Sequence, residues 1–387
     1  MSTTVNRDVM RAANRTAVLN ALRLHGPQSQ AGLATTCRLS QAAVSEIAAE
    51  LVRDGFVNKA GSRPSGARGG RPGTVLALAP HGRVAVGAKV LDDAVVTVVV
   101  GLDGSLLSSR TDPLPAAGSV TPEQFADLLC LLLVEVCADA PGPVLGIGVG
   151  VTGQVDSAGV VTGSRLFPQS PQVPLGALLA QRLLHPVHLE NDVTTLVVAE
   201  QWFGVGRGVR SFVVATVGRG IGAGLVLDGR LHRGVGGAAG ELGHLVVDPQ
   251  GSLCECGNRG CLETVAADPA LARLADGAAP DDHLLGSSGE RIGQAIAWLV
   301  TLTAPELVVL TGEGLTPDGA RLAGIRAGLD QSLFPPLRDR VRVVHEPMAF
   351  TAWARGAACL VLGVAFTPPT DLADGTPVLA PLPDPIP

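Results

Sequence analysis

The chain has 387 residues, long enough for two or three domains and a sizeable core, with 46% apolar residues and no tyrosine. Seven cysteines without a pairing pattern do not suit a disulfide scaffold, and no stretch reaches transmembrane length without charge, which excludes the disulfide-rich secreted and membrane-spanning classes. Net charge is −6 but uneven: residues 1–82 hold ten Lys+Arg and four Asp+Glu, and the remainder nineteen and thirty-one. A basic head on an acidic body implies that only the head meets a polyanion. Arg7, Arg11 and Arg15 are not followed by a continuous apolar core, so no signal peptide is read and a cytoplasmic location is expected.

The head reads as three short helices. "NRTAVLNALRLHG" carries Val18, Leu19, Leu22 and Leu24 at helical spacing and stops at Gly26-Pro27. "SQAGLATTCR" is a second helix with Ser29 as N-cap, and "QAAVSEIAAELVRDGFV" a third with Ser40 as N-cap and Val44, Ile47 and Leu51 on one face. Two helices across a tight turn form the helix-turn-helix arrangement. The third helix would present Ser40, Gln41, Ala42, Ser45 and Glu46 to the major groove of double-stranded DNA. "FVNKAG" and "GTVLALAP" then flank a Gly/Ser/Pro loop carrying Arg63, Arg68 and Arg71, which reads as a wing whose arginines meet phosphates, and also as the linker to the body. The DNA-binding domain is placed at 1–76.

From about residue 83 strand runs alternate with helices. "RVAVGAKV", "AVVTVVVGLDG", "VLGIGVGVTG", "PVHLEND" and "SFVVATVGRGIGAGLVLDG" are strands, and Asp103-Gly104 and Asp228-Gly229 are hairpin turns. "LLCLLLVEVCADA", broken by Glu135 and Asp139, reads as a buried helix. The expected architecture is an α/β body of two lobes with a cleft over 77–366, followed by a Pro-rich tail, 367–387, expected to be disordered. Cys37, Cys130, Cys137 and Cys359 are scattered and read as free buried thiols.

"GHLVVDPQGSLCECGNRGCLE", residues 243–263, gathers His244, Cys254, Cys256 and Cys261 among glycines. Three thiolates and an imidazole fill the tetrahedral shell of zinc and leave no open position, so a structural ion is expected in a loop spanning 244–261. Nearby acids give that ion a purpose. Glu190, Asn191 and Asp192 end a strand, where α/β proteins collect ligand groups. Glu241 and Glu263 flank the metal loop, and a zinc-bound His244 keeps one nitrogen for a ligand. Carboxylates and an amide around one cleft suit a polyhydroxyl ligand such as a sugar.

"GRGIGAGLVLDGRLHRGVGGAAGELGH", the zinc loop, "LENDV" and the head with its "GGRP" together resemble the ROK family (repressors, open reading frames and sugar kinases), and within it the transcriptional repressor branch, from about residue 10 to 365. The resemblance implies an actin-like, hexokinase-like body behind an N-terminal winged helix-turn-helix. It implies that Glu190, Asn191, Asp192, Glu241, His244 and Glu263 line a sugar site, with Asp192 at the catalytic base position of kinase members. It also implies a DNA operator as partner, a sugar or sugar-phosphate effector, and a homodimer or homotetramer.

Departures from the family pattern separate its branches. "KVLDD", Lys89 to Asp93, stands where kinase members carry Asp-x-Gly-Gly-Thr. Arg219 replaces a small hydroxyl residue in the second phosphate loop, and "TGEG" brings Glu313 into the adenosine pocket. Phosphoryl transfer needs positioned phosphates and a metal, so no enzymatic activity is expected. Arg165 replaces an asparagine of the sugar site. It fits an acidic or phosphorylated effector, or a site that has lost its sugar. The alternatives carried forward are an ATP-dependent sugar kinase with a DNA-binding head and a regulator without an effector.

Overall fold

The computed structural model describes residues 2–63 and 73–367. Arg68 and Arg71 of the wing and the Pro-rich tail from residue 368 lie outside the described residues. The head is a three-helix unit with a hairpin. Helix α1 (Ser2–His25) starts well before the expected Asn14. After β1 (Gln28–Ser29) come α2 (Gln30–Cys37) and α3 (Gln41–Arg53). Ser29 Oγ accepts the Gly32 N–H and Ser40 Oγ the Ala43 N–H, each at 3.1 Å, so both serines cap as their positions require. Strands β2 (Val57–Arg63) and β3 (Gly73–Leu78) pair antiparallel, and β1 joins β3 on its other edge.

The body repeats one topology twice. In the first lobe, β4 (Val84–Val90), β5 (Ala94–Gly101) and β6 (Leu106–Pro113) form an antiparallel meander, followed by α4 (Pro122–Ala138) and β7 (Val144–Val151). Short strands β8 (Gln154–Val155), β9 (Val161–Thr162) and β10 (Gln172–Val173) and helix α5 (Leu175–Ala180) lead to β11 (Val187–Asn191) and α6 (Asp192–Phe203). The sheet order is β11-β7-β4-β5-β6, with β11 and β7 parallel to β4.

In the second lobe, β12 (Phe212–Val217), β13 (Ile221–Leu227) and β14 (Arg230–His232) form the meander. The zinc loop, α7 (Leu262–Ala266), α8 (Asp268–Leu274) and α9 (Asp282–Thr303) precede β15 (Leu307–Thr311), α10 (Ala320–Ser332) and β16 (Arg342–His345). The order, β14-β13-β12-β15-β16, matches that of the first lobe. Strands β4, β12 and β15 are buried along their whole length, which explains their mainly apolar sequences: central strands covered on both faces show no regular polar alternation.

The last helix, α11 (Phe350–Phe366), leaves the second lobe and packs on the first-lobe sheet beside α6. Its seat depends on glycine: a Cβ at Gly87 or Gly148 would overlap the carbonyls of Ala354 or Ala357.

The structure corrects two expectations. The head is not tethered by a linker alone. Val18, Leu19 and Leu22 of α1 share one buried cluster with Val96, Val98 and Val100 of β5, Trp202 and Phe366, because the apolar stripe of α1 extends beyond what α2 and α3 can cover. The helix α4 is not buried but amphipathic, with Leu128, Leu131 and Val134 exposed and Phe125, Leu129 and Leu133 facing the core. The acids of the head are taken up within it, where Arg11 pairs with Glu46 and Glu50, Arg15 with Glu50 and Asp54, and Arg53 with Asp54, and the excess of ten basic over four acidic residues is unchanged by these pairs. Among the described residues no helix is long and apolar enough to cross a membrane.

Candidate functional site

The cleft between the lobes collects most of the acids singled out in the sequence. Asp192 opens α6, with Asn191 as its cap: Asn191 Oδ1 accepts the Thr194 N–H at 3.1 Å, and its Nδ2 donates to the Gly153 carbonyl at 2.9 Å. Both ends of that amide therefore brace the loop. Asp192 Oδ1 accepts the Val193 N–H at 2.8 Å, and Oδ2 is ion-paired with Lys89 Nζ. Both side chains are nearly buried, at 6% exposure for Lys89 and 11% for Asp192, so each charge depends on the other.

Glu241 faces His244, with Oε2 3.7 Å from Nε2, while Glu263 Oε1 lies 3.8 Å from Nδ1. Burial raises the Glu241 carboxyl above its ordinary range, against the opposing pull of His244. Glu190 does not join this group. Its carboxylate takes the Arg233 guanidinium at 2.7 Å and the Asn191 N–H at 3.0 Å, and with Arg233 it lines a separate cavity of about 530 Å³ at the β11 edge. Strand alternation sends the side chain of residue 190 to one face and that of 191 to the other.

Arg165 is half-buried beside the Gly218–Gly220 turn. Its Nε is buried without an acceptor, and among the described residues it has no ion pair.

The metal loop passes a test of fit on its donor atoms. The donors of His244, Cys254, Cys256 and Cys261 all lie within 4.8 Å of one another. His244 Nδ1 is 3.5 Å from Cys254 Sγ, and Cys256 Sγ is 3.6 Å from Cys261 Sγ. Tetrahedral zinc with ordinary Zn–S and Zn–N bonds has edges of about 3.6–3.8 Å. Nδ1 thus faces the sulfurs, and Nε2 is turned to Glu241. Gly260 is required here, with φ +68° and its Cα against the Asp248 carbonyl, a place no Cβ can occupy.

The three departures noted in the sequence, in the Lys89–Asp93 segment, at Arg219 and at Glu313, meet in one place. The β12–β13 turn places Arg219 against Asp92 of the β4–β5 turn at 2.5 Å, across the lobes. The Arg219 N–H donates to Glu313 Oε1 at 2.8 Å, so a turn amide that could face a phosphate already holds a carboxylate. Arg321, 2% exposed, pairs with Asp268 in the same lobe.

On the head, Gln41, Ala42, Ser45 and Glu46 form an exposed face of α3. Ser40 is committed to capping, and Glu46 touches Arg11 at 3.2 Å. Arg63 ends β2.

The family model "ROK family" matches residues 92–364. The chain belongs to the ROK family. Among its relatives, the glucokinase of Thermotoga maritima is 34% identical over 303 residues, covering 68% of this chain and 94% of that protein. The DNA-binding transcriptional dual regulator NagC of Escherichia coli is 26% identical over 392 residues, covering 92% of this chain and 94% of its own length. A solved ROK family transcriptional regulator, a homolog of the E. coli MLC protein, superposes with a TM-score of 0.78 at 24% identity, covering 92% of this chain and 97% of its own. The kinase match leaves about a third of this ROK protein uncovered, whereas the regulators span nearly all of it.

Reasoning from sequence missed the Lys89–Asp192 pair, the Glu190–Arg233 pair and the Arg219–Asp92 bridge. Only the last left a trace, in the charges of the two altered phosphate loops.

Proposed function

We propose that this ROK protein is a sequence-specific DNA-binding transcriptional regulator, a repressor, whose body senses a sugar or sugar derivative, and that it is not a sugar kinase. The observation that carries the reading is the Lys89–Asp192 ion pair. The aspartate at the kinase base position is held as the partner of a buried lysine, and that lysine stands where a kinase would admit triphosphate. Likeness to regulators over the full length supports the same choice.

The head, 1–76, docks α3 in the major groove through Gln41, Ala42, Ser45 and Glu46, with Ser40 fixing the start of the helix and Arg63, Arg68 and Arg71 on phosphates. A zinc ion on His244, Cys254, Cys256 and Cys261 joins the loop 244–261 to α7 and sets Glu241 and Glu263 on the cleft wall. The ion supplies folding free energy when bound, and no chemistry on the ligand. Asn191, Asp192, Glu241, His244 and Glu263 take the sugar hydroxyls, and Arg165 takes an anionic group on a phosphorylated or acidic sugar. Glu190 acts by holding Arg233 to the β11 edge. The protein works in the cytoplasm as a symmetric dimer or tetramer, since two heads match a palindromic operator.

The experiment is a titration of labelled operator DNA with the full-length chain, with and without a panel of neutral and anionic sugars. A sugar that shifts DNA affinity supports the reading, and a sugar that binds without shifting it is not the effector.

A further inference from the structure

Two helices run from the cleft to the head, and both begin at the cleft. Helix α6 starts at Asp192 and carries Trp202 one residue from its end. Helix α11 has Trp353 in its first turn and ends at Phe366. One side chain touches both starts: Lys89 donates to Asp192 Oδ2, and its Nζ lies 5.1 Å from the centroid of the Trp353 ring. Trp353 Nε1 is buried without an acceptor, so the ring is held by packing and by that cation.

The far ends meet under the head. Trp202 and Phe366 stack edge to face with centroids 5.3 Å apart. The Arg23 guanidinium of α1 lies over both, 4.6 Å from Trp202 and 5.8 Å from Phe366. Asn20 Nδ2 donates to the Phe366 carbonyl at 2.7 Å, and Arg207, just beyond α6, donates to the carbonyls of Arg23 at 3.0 Å and Leu24 at 2.5 Å. Between the ends the helices are locked together, because a Cβ at Gly356 would overlap the Thr195 carbonyl. Close-packed elements of this kind shift as units.

We propose that Lys89 is the coupling residue between cleft and head, the point at which occupancy of the cleft alters how α6 and α11 present Trp202 and Phe366 to α1. This rests on reading the cleft as an effector site and names its regulation. A hydroxyl group that takes hydrogen-bonding capacity of Asp192 changes the position of the Lys89 ammonium between carboxylate and indole. The starts of α6 and α11 then shift against each other, and the shift arrives where Arg23 and Asn20 dock. The two helices lie between the lobes: Leu196, Val197 and Trp353 also pack on Phe212, Val214 and Val309 of the second-lobe sheet, which gives the helix starts a second surface to move against.

The test needs no ligand. Amide hydrogen exchange is followed across the full-length, zinc-loaded chain for the wild type, Lys89→Met combined with Asp192→Asn, Lys89→Arg, and Arg219→Ala. The double replacement removes both charges together, so no lone buried charge is left to unfold the protein. Exchange at residues 18–24 of α1 should speed up about tenfold in the double variant, within the usual range for coupled sites, with α9 and α10, on the opposite face of the second-lobe sheet, unchanged. Lys89→Arg should keep wild-type protection in α1. Arg219→Ala, which breaks a neighbouring ion pair in the same cleft, should leave α1 unaffected. Wild-type exchange in α1 of the double variant overturns the proposal. So does an equal acceleration in every strand, since Lys89 would then serve stability alone. A separate exchange run of the wild type with D-xylose and with N-acetylglucosamine 6-phosphate reports on the effector reading: if neither protects the cleft, that reading loses support while the α1 result stands by itself.

Discussion

Lys89 Nζ and Asp192 Oδ2 form a buried ion pair on the floor of the interlobe cleft, joining the end of β4 to the first residue of α6. A general base must be able to take the proton of the substrate hydroxyl, and here the carboxylate is tied through Oδ2 to the Lys89 ammonium. The purified protein should therefore show no ATP-dependent phosphorylation of glucose, xylose or N-acetylglucosamine above background in a coupled assay. Removing only the cation leaves a buried carboxylate unpaired, so Lys89→Ala should cost about 3–5 kcal/mol in denaturant unfolding, and an unchanged midpoint would show that the pair is not buried in solution.

The metal loop gives a second expectation. The protein should contain about one zinc per chain by elemental analysis, as a closed four-ligand site implies. Cys256→Ser should lose the metal and lower the melting temperature, because the ion holds His244 to the segment leading into α7. Full zinc occupancy with unchanged melting in that variant would count against a structural ion.

Much of this molecule was legible in the sequence, and the losses have a common cause. Ser29 and Ser40 announced their helices because capping is a local matter of one hydroxyl and one N–H. The four metal donors lie within eighteen residues and declared their chemistry together. The ion pairs that fill the cleft were not legible, since Lys89 and Asp192 are 103 residues apart and meet only when the strands β4 and β11 flank β7. The docking of the head was hidden for the same reason: Asn20 and Phe366 are 346 residues apart. The Arg233 partner of Glu190 was hidden in the same way, because the two residues are 43 apart and meet across the β11 edge.

Thiol reactivity separates the cysteines. Burial pushes Cys359 up to about 12 and Cys130 and Cys137 up to about 11, so all three stay protonated at pH 8. The Asn258 N–H draws Cys256 below its ordinary value, and that side chain is exposed. After chelation of zinc, iodoacetamide at pH 8 should label Cys256 first, by mass-mapped peptides, and raising the pH should recruit the buried thiols last. Early labelling of Cys359 in folded protein would contradict its complete burial on the inner face of α11.

Arg165 provides the test of effector chemistry. An unanswered guanidinium in a cleft favours an anionic group, and charge-assisted hydrogen bonds are the stronger kind. Calorimetry should find anionic sugars bound more tightly than matched neutral ones, with the preference erased in Arg165→Ala at a cost of about 1.5–3 kcal/mol. Neutral sugars binding equally well to the wild type and the variant would place Arg165 outside the site.

Whether the chain reads DNA is decided by selecting bound duplexes from a random or genomic pool with the full-length, zinc-loaded protein. A palindromic site should be enriched and bound at least about 10³-fold more tightly than random duplex at physiological salt. Replacing Arg68 and Arg71 with alanine should then weaken all DNA binding and flatten the salt dependence by about two counterions. A pool that shows no enrichment, with affinity no higher for any sequence than for random duplex, would contradict a DNA-reading role.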